Sequence, residues 1–223
     1  MIDNFVFIAN LSNILPLAIF IFYYSFTKKD NYAKAIAGYC IYALMSYGIY
    51  ILFPEKWNAY FDAANAFFEY LTFSVIIYFS LVSARLRKIV VISGITFLAF
   101  FIIYLATTEI VPFDPVLNGV RSIILFILAF LVFYERFQTE NESILSDPKF
   151  WGLIGLIMFL GGSFLIYLVY YHYYNEVKEL EAIPLLLYTL KSLFLSLSMF
   201  LLVSKNKKNL VKKEKDIPFL DLE

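Results

Sequence analysis

The chain has few of the residues on which most enzymes and metal sites depend. It contains one histidine, His172, and one cysteine, Cys40, among 223 residues. One cysteine cannot form an intramolecular disulfide, and a single histidine cannot anchor the usual zinc ligand sets. The sequence also has no HExxH motif and no glycine-rich phosphate loop. These absences predict a protein that is not an enzyme and that holds neither a metal nor a cofactor.

Charge of either sign is scarce as well. Charged residues make up 16% of the chain, whereas soluble domains carry about 25%. The formal net charge is zero, so the chain lacks the basic surplus typical of nucleic-acid-binding domains. Hydrophobic residues instead make up 61% of the chain, and the mean hydropathy is +0.75. This composition excludes a disordered protein, a nucleic-acid-binding domain and an ordinary soluble enzyme.

The hydrophobic residues fall into seven segments of about 20 residues, which is the length of helix that crosses a bilayer. A helix bonds its backbone groups within its own segment, as lipid requires. We therefore predict an all-α polytopic membrane protein with seven transmembrane helices in contact with the lipid bilayer. The predicted spans are Phe5–Phe26, Ala33–Phe53, Ala63–Ala84, Ile89–Ala106, Val116–Tyr134, Phe150–Tyr171 and Leu185–Val203.

The basic residues predict how these spans are oriented. Of the 18 Lys and Arg residues, 14 lie in the connections and tail on one side of the predicted bundle, and only Lys56 and Lys178 lie on the other. The positive-inside rule places the 14 in the cytoplasm. With seven spans, the N-terminus then lies outside and the C-terminus in the cytoplasm. The chain divides into a seven-helix domain, residues 1–204, and a Lys-rich cytoplasmic tail, residues 205–223.

Three ionisable residues lie inside predicted spans, where a charge is costly and usually functional. Glu69, Arg121 and Lys191 each lie roughly 8–10 Å from the predicted outer end of their helix, at 1.5 Å per residue. Uncharged polar residues at similar depth extend this set into a layer that we predict to be open to the outside. They are Asn10, Asn13, Ser46 and Ser163.

The predicted polar layer has three interpretations. The first is a set of interhelical locks, with Glu69 paired to Arg121 or Lys191, and the second is a pocket for an ion or a small or anionic ligand. In the third, the three charged side chains extend to the membrane interface. Two cations against one carboxylate leave one positive charge over, which favours an anion. On the second interpretation Asn10, Asn13, Ser163 and the three charged residues bind the ligand.

The sixth predicted span carries small residues on one face. Gly152, Gly155 and Gly162 recur at helical spacing, and small residues let two membrane helices approach closely. We expect this face to pack against a neighbouring helix.

Short stretches of the chain resemble a group of bacterial membrane proteins. Asp147-Pro148-Lys149-Phe150-Trp151 opens the sixth predicted span, and after Gly155 comes Phe159-Leu160-Gly161-Gly162-Ser163-Phe164. The third predicted span holds Glu69 within Asn65-Ala66-Phe67-Phe68-Glu69-Tyr70. These stretches resemble uncharacterised bacterial seven-helix membrane proteins that occur alone or fused in front of sensor histidine kinases.

The resemblance implies a function and a location. The seven spans of such proteins are thought to be a sensory input module, so this chain is expected to lie in the cytoplasmic (inner) membrane of a bacterium. Because it carries no kinase domain of its own, the resemblance also implies a cytoplasmic or membrane signalling partner. We expect no nucleic-acid partner.

Two other functional classes fit parts of the pattern. A small-solute transporter is the main alternative, since the 3+1+3 helix order and the predicted orientation resemble the SWEET sugar transporters. Those proteins carry prolines in several spans, whereas here only Pro16 lies well inside one. A retinal protein would place a lysine such as Lys191 opposite a carboxylate such as Glu69, but Lys191 lies too near the predicted outer end of its span.

Overall fold

A computed structural model describes residues 2–52, 58–109, 111, 114–139, 144–173 and 182–215, with side chains over most of these ranges. The secondary structure of the described residues is helical, and they contain no strand. The all-α prediction is confirmed for this part of the chain. The prediction of a multi-pass membrane protein is also confirmed, because several helices are apolar over a length that can span a membrane.

The described part of the chain contains nine α-helices. They are α1 (Ile2–Leu11), α2 (Ile14–Phe22), α3 (Tyr24–Thr27), α4 (Asn31–Leu52), α5 (Asn58–Ser80), α6 (Ala84–Thr107), α7 (Pro115–Thr139), α8 (Pro148–Tyr173) and α9 (Ala182–Lys215), among the described residues. A single turn of 3₁₀-helix, Ile144–Ser146, precedes α8.

Six of these helices are long and apolar enough to cross a membrane. The spans are Asn31–Leu52, Ala59–Ser80, Ala84–Thr107, Pro115–Gln138, Pro148–Val169 and Ile183–Asn209. They correspond to the second to seventh predicted spans, and three of them, Ala84–Thr107, Pro115–Gln138 and Ile183–Asn209, are several residues longer than predicted. The helices continue past the hydrophobic stretch because polar residues at a membrane surface can remain helical.

The first predicted span, Phe5–Phe26, differs from the structure. It is divided into α1, α2 and α3, and its apolar part, Phe7–Phe22, is shorter than the roughly 20 residues of a straight span. Pro16 explains the break, because proline has no N–H to donate to the carbonyl of Ser12, four residues earlier. The Ser12 carbonyl accepts a hydrogen bond from the N–H of Leu15 instead, at 3.3 Å.

The last helix, α9, extends well beyond its predicted span, Leu185–Val203. It runs through to Lys215, so residues 205–215 of the predicted tail continue the helix. Residues 216–223 lie outside the described residues. At 1.5 Å per residue, its 34 residues measure about 51 Å, whereas the hydrocarbon core of a bilayer is about 30 Å thick. One continuous helix is therefore long enough to cross the bilayer and to project from it.

The helices form a ring, with α6 on its outside. Around the ring α4 contacts α5, followed by α7, α8 and α9, and the α1–α2 segment closes the ring between α9 and α4. α6 packs against α5 and α7, and the rings of Tyr70 and Phe97 stack between α5 and α6 with their centroids 4.0 Å apart. On α6, Ile92 is 61% and Ile95 65% exposed. Exposed apolar side chains of this kind suit contact with lipid.

α8 and α9 lie close together because glycines of α8 face α9. A Cβ atom added to Gly155 would lie 2.6 Å from the Cβ of Phe194 and 3.2 Å from the carbonyl oxygen of Lys191. A Cβ atom on Gly162 would meet the side chain of Leu187 on α9, and one on Gly152 would meet the hydroxyl of Tyr32 on α4 and the side chain of Ser198 on α9. This is the close helix packing that the glycine spacing predicts.

A buried carboxylate caps the start of α6. The two oxygens of Glu135, on α7, accept hydrogen bonds from the backbone N–H groups of Val82 at 2.8 Å and Ser83 at 2.6 Å. Ser83 is the N-cap residue of α6, and its own side chain makes no capping hydrogen bond. A negative charge at a helix N-terminus is favourable because the first N–H groups have no partner within the helix.

Two cations contact the end of the preceding helix. Arg136 donates to the carbonyl of Ser80 at 3.0 Å, and Lys149 donates to the carbonyl of Phe79 at 2.8 Å. Positive charges at a helix C-terminus are favourable because the last C=O groups have no partner within the helix and carry partial negative charge. α7 and α8 therefore hold the α5–α6 connection on both sides.

Candidate functional site

A cavity of about 380 Å³ lies inside the ring and is lined by residues of α1, α4, α5, α7, α8 and α9. This volume is near the lower end of the range for small-molecule pockets. Its rim lies at the end of the bundle where α4 ends and where α5 and α9 begin, and it includes Tyr50, Phe61 and Pro184. The side chains of Tyr39, Phe159 and Tyr188, deeper along their helices, form the part that we call the floor of the cavity.

Glu69 and Arg121 form a buried ion pair on the cavity wall. The Nη1 of Arg121 donates to the Oε2 of Glu69, and their side chains are 4% and 10% exposed respectively. The hydroxyl of Tyr167 is a further hydrogen-bonding neighbour of Arg121. The Nε of Arg121 is buried without a partner among the described residues. A buried charge pair of this kind is sensitive to loss of either member.

Glu69 lies deeper in its helix than the sequence predicted. α5 begins at Asn58 rather than at Ala63, so Glu69 is about 15 Å from the first residue of the span Ala59–Ser80, at 1.5 Å per residue. This places the carboxylate near the middle of that span. A charge at this position is costly in lipid, and the contact with Arg121 offsets part of that penalty.

A second polar group ties α4 to α5 on the same wall. The hydroxyl groups of Tyr42 and Ser46 both donate to the Oδ1 of Asn65, the bond from Ser46 being 2.8 Å long. All three residues line the cavity. Because these bonds join neighbouring helices, they fix how the polar wall faces the cavity.

Lys191 lies below the floor and is fully buried. Its Nζ donates to the hydroxyl of Tyr39 and lies over four aromatic rings. The distances from Nζ to the ring centroids are 3.5 Å for Tyr188, 4.2 Å for Phe159, 4.6 Å for Tyr39 and 5.3 Å for Phe73. We call these four rings the aromatic cage. Ring faces at such distances attract a cation.

Asn13 links the break in the N-terminal segment to α9. Its Nδ2 donates to the hydroxyl of Tyr188 at 3.1 Å, and its Oδ1 accepts from the hydroxyl of Ser192 at 3.1 Å. Asn13 is fully buried. Since it lies between α1 and α2, the interruption of the helix directs a polar side chain into the bundle.

The six predicted site residues fall into two groups according to where they lie relative to the cavity. Four lie on the cavity wall, and these are Asn10, Glu69, Arg121 and Ser163. Asn13 and Lys191 do not line the cavity, but each is hydrogen-bonded to a floor residue, Tyr188 and Tyr39 respectively. The charged residues pair as Arg121 with Glu69, and Lys191 has no part in that ion pair.

Sequence reasoning missed several residues of the site. Asn65 lies four residues before Glu69, so helical periodicity places both on one face of α5, and this signal could have found it. The tyrosines gave no comparable signal, because 18 tyrosines are spread along the chain. Those that line the cavity are Tyr39, Tyr42, Tyr47, Tyr50, Tyr167 and Tyr188.

The described residues contain no group of three or more His, Cys, Asp or Glu side chains placed to hold a metal ion. No family model, curated protein or solved structure matches the chain. The functional argument therefore depends on the cavity and on the side chains around it.

Proposed function

We propose that this protein is a non-enzymatic, ligand-binding input module of the cytoplasmic membrane of a bacterium, and that it signals through a partner. In this proposal the chain crosses the membrane seven times, with its N-terminus outside and its C-terminus in the cytoplasm. The cavity rim then faces the outside. The positive-inside distribution of Lys and Arg supports that orientation.

The observation that carries the proposal is the buried ion pair on the cavity wall. Ionisable residues inside a membrane are rare, and they usually mark a ligand or ion site. Glu69 and Arg121 line an open space of about 380 Å³ together with polar and aromatic side chains. A concave, largely aromatic surface with a few converging polar groups is the usual form of a small-molecule site.

α9 supplies a physical route from the cavity to a partner. Its first turns contribute Pro184, Leu185 and Tyr188 to the cavity, and the same uninterrupted helix ends at Lys215. If ligand binding displaced the first turns of α9, the displacement would therefore be transmitted along this one continuous helix to its far end. The lysines near its far end suit an anionic membrane surface or an acidic region of a partner.

Access to the cavity can be tested with introduced cysteines. Cys40, the native cysteine, is fully buried, so the unmodified chain should react little with a membrane-impermeant methanethiosulfonate reagent. Ser46→Cys places a thiol on the cavity wall, and Ser198→Cys places one in the core at the other end of the bundle. We expect reagent added outside intact cells to modify Ser46→Cys and to leave Ser198→Cys unmodified.

The same variants test the orientation. In inside-out vesicles, Ser46→Cys should be protected if the cavity opens to the outside only. Labelling of Ser46→Cys exclusively from the cytoplasmic side would overturn the proposed orientation. Equal protection of Ser46→Cys from both sides would show that the cavity is closed to solutes, and it would overturn the ligand-binding proposal.

A small-solute transporter is the second candidate, and the interrupted N-terminal segment favours it. Helices broken inside the membrane are common at transporter substrate sites, and Asn13 at the break contacts the floor residue Tyr188. The position of α6 outside the ring also suits a 3+1+3 helix order. Alternating access requires Ser46→Cys to react from both sides of the membrane, whereas an input module requires reaction from the outside alone.

A further inference from the structure

Lys191 is fully buried and forms no ion pair with any carboxylate among the described residues. Among the residues that the structure describes, the ion pairs within 4.0 Å are Arg121 with Glu69 and Arg136 with Asp147. Two of the described carboxylates line the cavity: Asp62 lies near the rim, and Glu69, about two helical turns deeper, is already paired with Arg121. The aromatic cage and the Tyr39 hydroxyl stabilise the Lys191 ammonium group, but they add no negative charge.

The floor of the cavity separates this ammonium group from the open space by one layer of side chains. Tyr39, Phe159 and Tyr188 each line the cavity on one side and contact Lys191 on the other. The hydroxyl of Tyr39 accepts a hydrogen bond from Lys191 and interacts with the hydroxyl of Tyr188. With the Tyr39 proton used in that interaction, the proton of Tyr188 is the one that can be donated into the cavity.

These contacts form a relay that ends at the cavity floor. A cation that donates to one hydroxyl polarises that hydroxyl and strengthens the hydrogen bond that it donates in turn. An anion above the floor would receive such a bond and would lie close enough to Lys191 for a strong attraction in this medium of low dielectric constant. Deep in the cavity the wall would add no surplus charge, because Glu69 and Arg121 neutralise each other and the other lining carboxylate, Asp62, lies beside the rim residue Phe61.

We propose that the ligand of this cavity is a small organic carboxylate with an aromatic or apolar body, and that its carboxylate accepts a hydrogen bond at the floor from the hydroxyl of Tyr188, above Tyr39 and Lys191. The inference rests on the proposed ligand-binding function and names the chemical class of the ligand. The body of the ligand packs against the aromatic wall, including Phe61 and Tyr167. The carboxylate supplies the negative charge that Lys191 lacks.

Three probes of one shape test the role of charge. They are 3-phenylpropionate, its neutral amide 3-phenylpropionamide and the cation 3-phenylpropylamine, added to the detergent-solubilised protein at constant chloride concentration. We expect the carboxylate to bind at least about tenfold more tightly than the amide, since a hydrogen bond to a charged group is markedly stronger than one to a neutral group. Calorimetric titration and the midpoint of thermal unfolding measure this difference.

Two variants connect the charge effect to Lys191. Lys191→Met keeps the length of the side chain and removes its charge, so it should abolish the preference for the carboxylate over the amide. Lys191→Met should also raise the melting temperature of the ligand-free protein, because an uncompensated buried charge is destabilising. The matched control is Lys207→Met on the exposed part of α9, and it should change neither property.

The outcomes separate this inference from the proposed function. Equal binding of the carboxylate and the amide, binding of none of the three probes, or an unchanged preference in Lys191→Met would each overturn the carboxylate assignment. The labelling of Ser46→Cys from outside does not depend on Lys191, so it would still support a ligand-binding cavity in those cases. Loss of that labelling would instead contradict the proposed function.

Discussion

The Nδ2 of Asn13 donates a hydrogen bond to the hydroxyl of Tyr188 at 3.1 Å, although 175 residues separate them in the chain. Asn13 lies at the break between α1 and α2, and Tyr188 belongs to both the cavity floor and the cage around Lys191. The break therefore has a structural use. It releases Asn13 from the regular helix and lets it position the hydroxyl group of a floor residue.

Asn13 and Tyr188 should be energetically coupled. Asn13→Ala and Tyr188→Phe each remove one partner of the hydrogen bond, so the effect of the double variant should be smaller than the sum of the two single effects. Interhelical hydrogen bonds in membrane proteins couple by about 0.6 kcal/mol on average, and denaturant unfolding in mixed micelles can resolve a difference of this size. Tyr24→Phe is the control, since Tyr24 is 55% exposed. Strict additivity would contradict the coupling.

Gly155→Ala should destabilise the protein. The new Cβ would lie 2.6 Å from the Cβ of Phe194 and close to the backbone of α9, so the two helices must move apart. Overpacking of this kind costs about 1–3 kcal/mol. Gly94→Ala on α6 is the matched control, because no atom lies within 4 Å of the added Cβ. A melting temperature of Gly155→Ala equal to that of Gly94→Ala would contradict close packing of α8 on α9.

Glu135→Gln should loosen the start of α6. The amide keeps one acceptor oxygen, but its NH₂ group would face the second of the two backbone N–H groups of Val82 and Ser83. A buried donor without a partner costs about 1–3 kcal/mol. Hydrogen-exchange mass spectrometry should show faster exchange at the beginning of α6. Glu109→Gln, at an exposed carboxylate, should leave that exchange unchanged, and equal exchange in both variants would refute the capping role.

The length of the hydrophobic segments was enough to predict most of the fold. A bilayer imposes a minimum length on each span, so six spans could be found from hydropathy alone. The ends of the helices could not, and α9 shows why. Its predicted span stops at Val203, where lysines begin, but lysine is a good helix former in water, and the helix continues to Lys215.

The candidate site was only partly predictable, because contacts depend on how each helix is rotated against its neighbours. Depth in the membrane identified Glu69, Arg121 and Lys191 as unusual, but depth could not decide which cation pairs with Glu69. In the ring, α5 contacts α7 directly, so the carboxylate meets Arg121. Lys191 lies on α9, which is farther around the ring, and it is surrounded by aromatic rings that composition alone could not distinguish from ordinary core residues.

Glu69 and Arg121 should stabilise the fold only as a pair. Glu69→Gln leaves the Arg121 guanidinium buried without its counter-charge, and loss of one member of a buried pair costs on the order of 3–5 kcal/mol. The double variant Glu69→Gln with Arg121→Met removes both charges and should lose less stability than Glu69→Gln alone. Unfolding in mixed micelles measures all three proteins against the unmodified chain. The control combines Glu69→Gln with Lys191→Met and is compared with Lys191→Met alone, because that change is itself expected to stabilise the fold. A larger coupling of Glu69 with Lys191 than with Arg121 would contradict the pairing of Glu69 with Arg121.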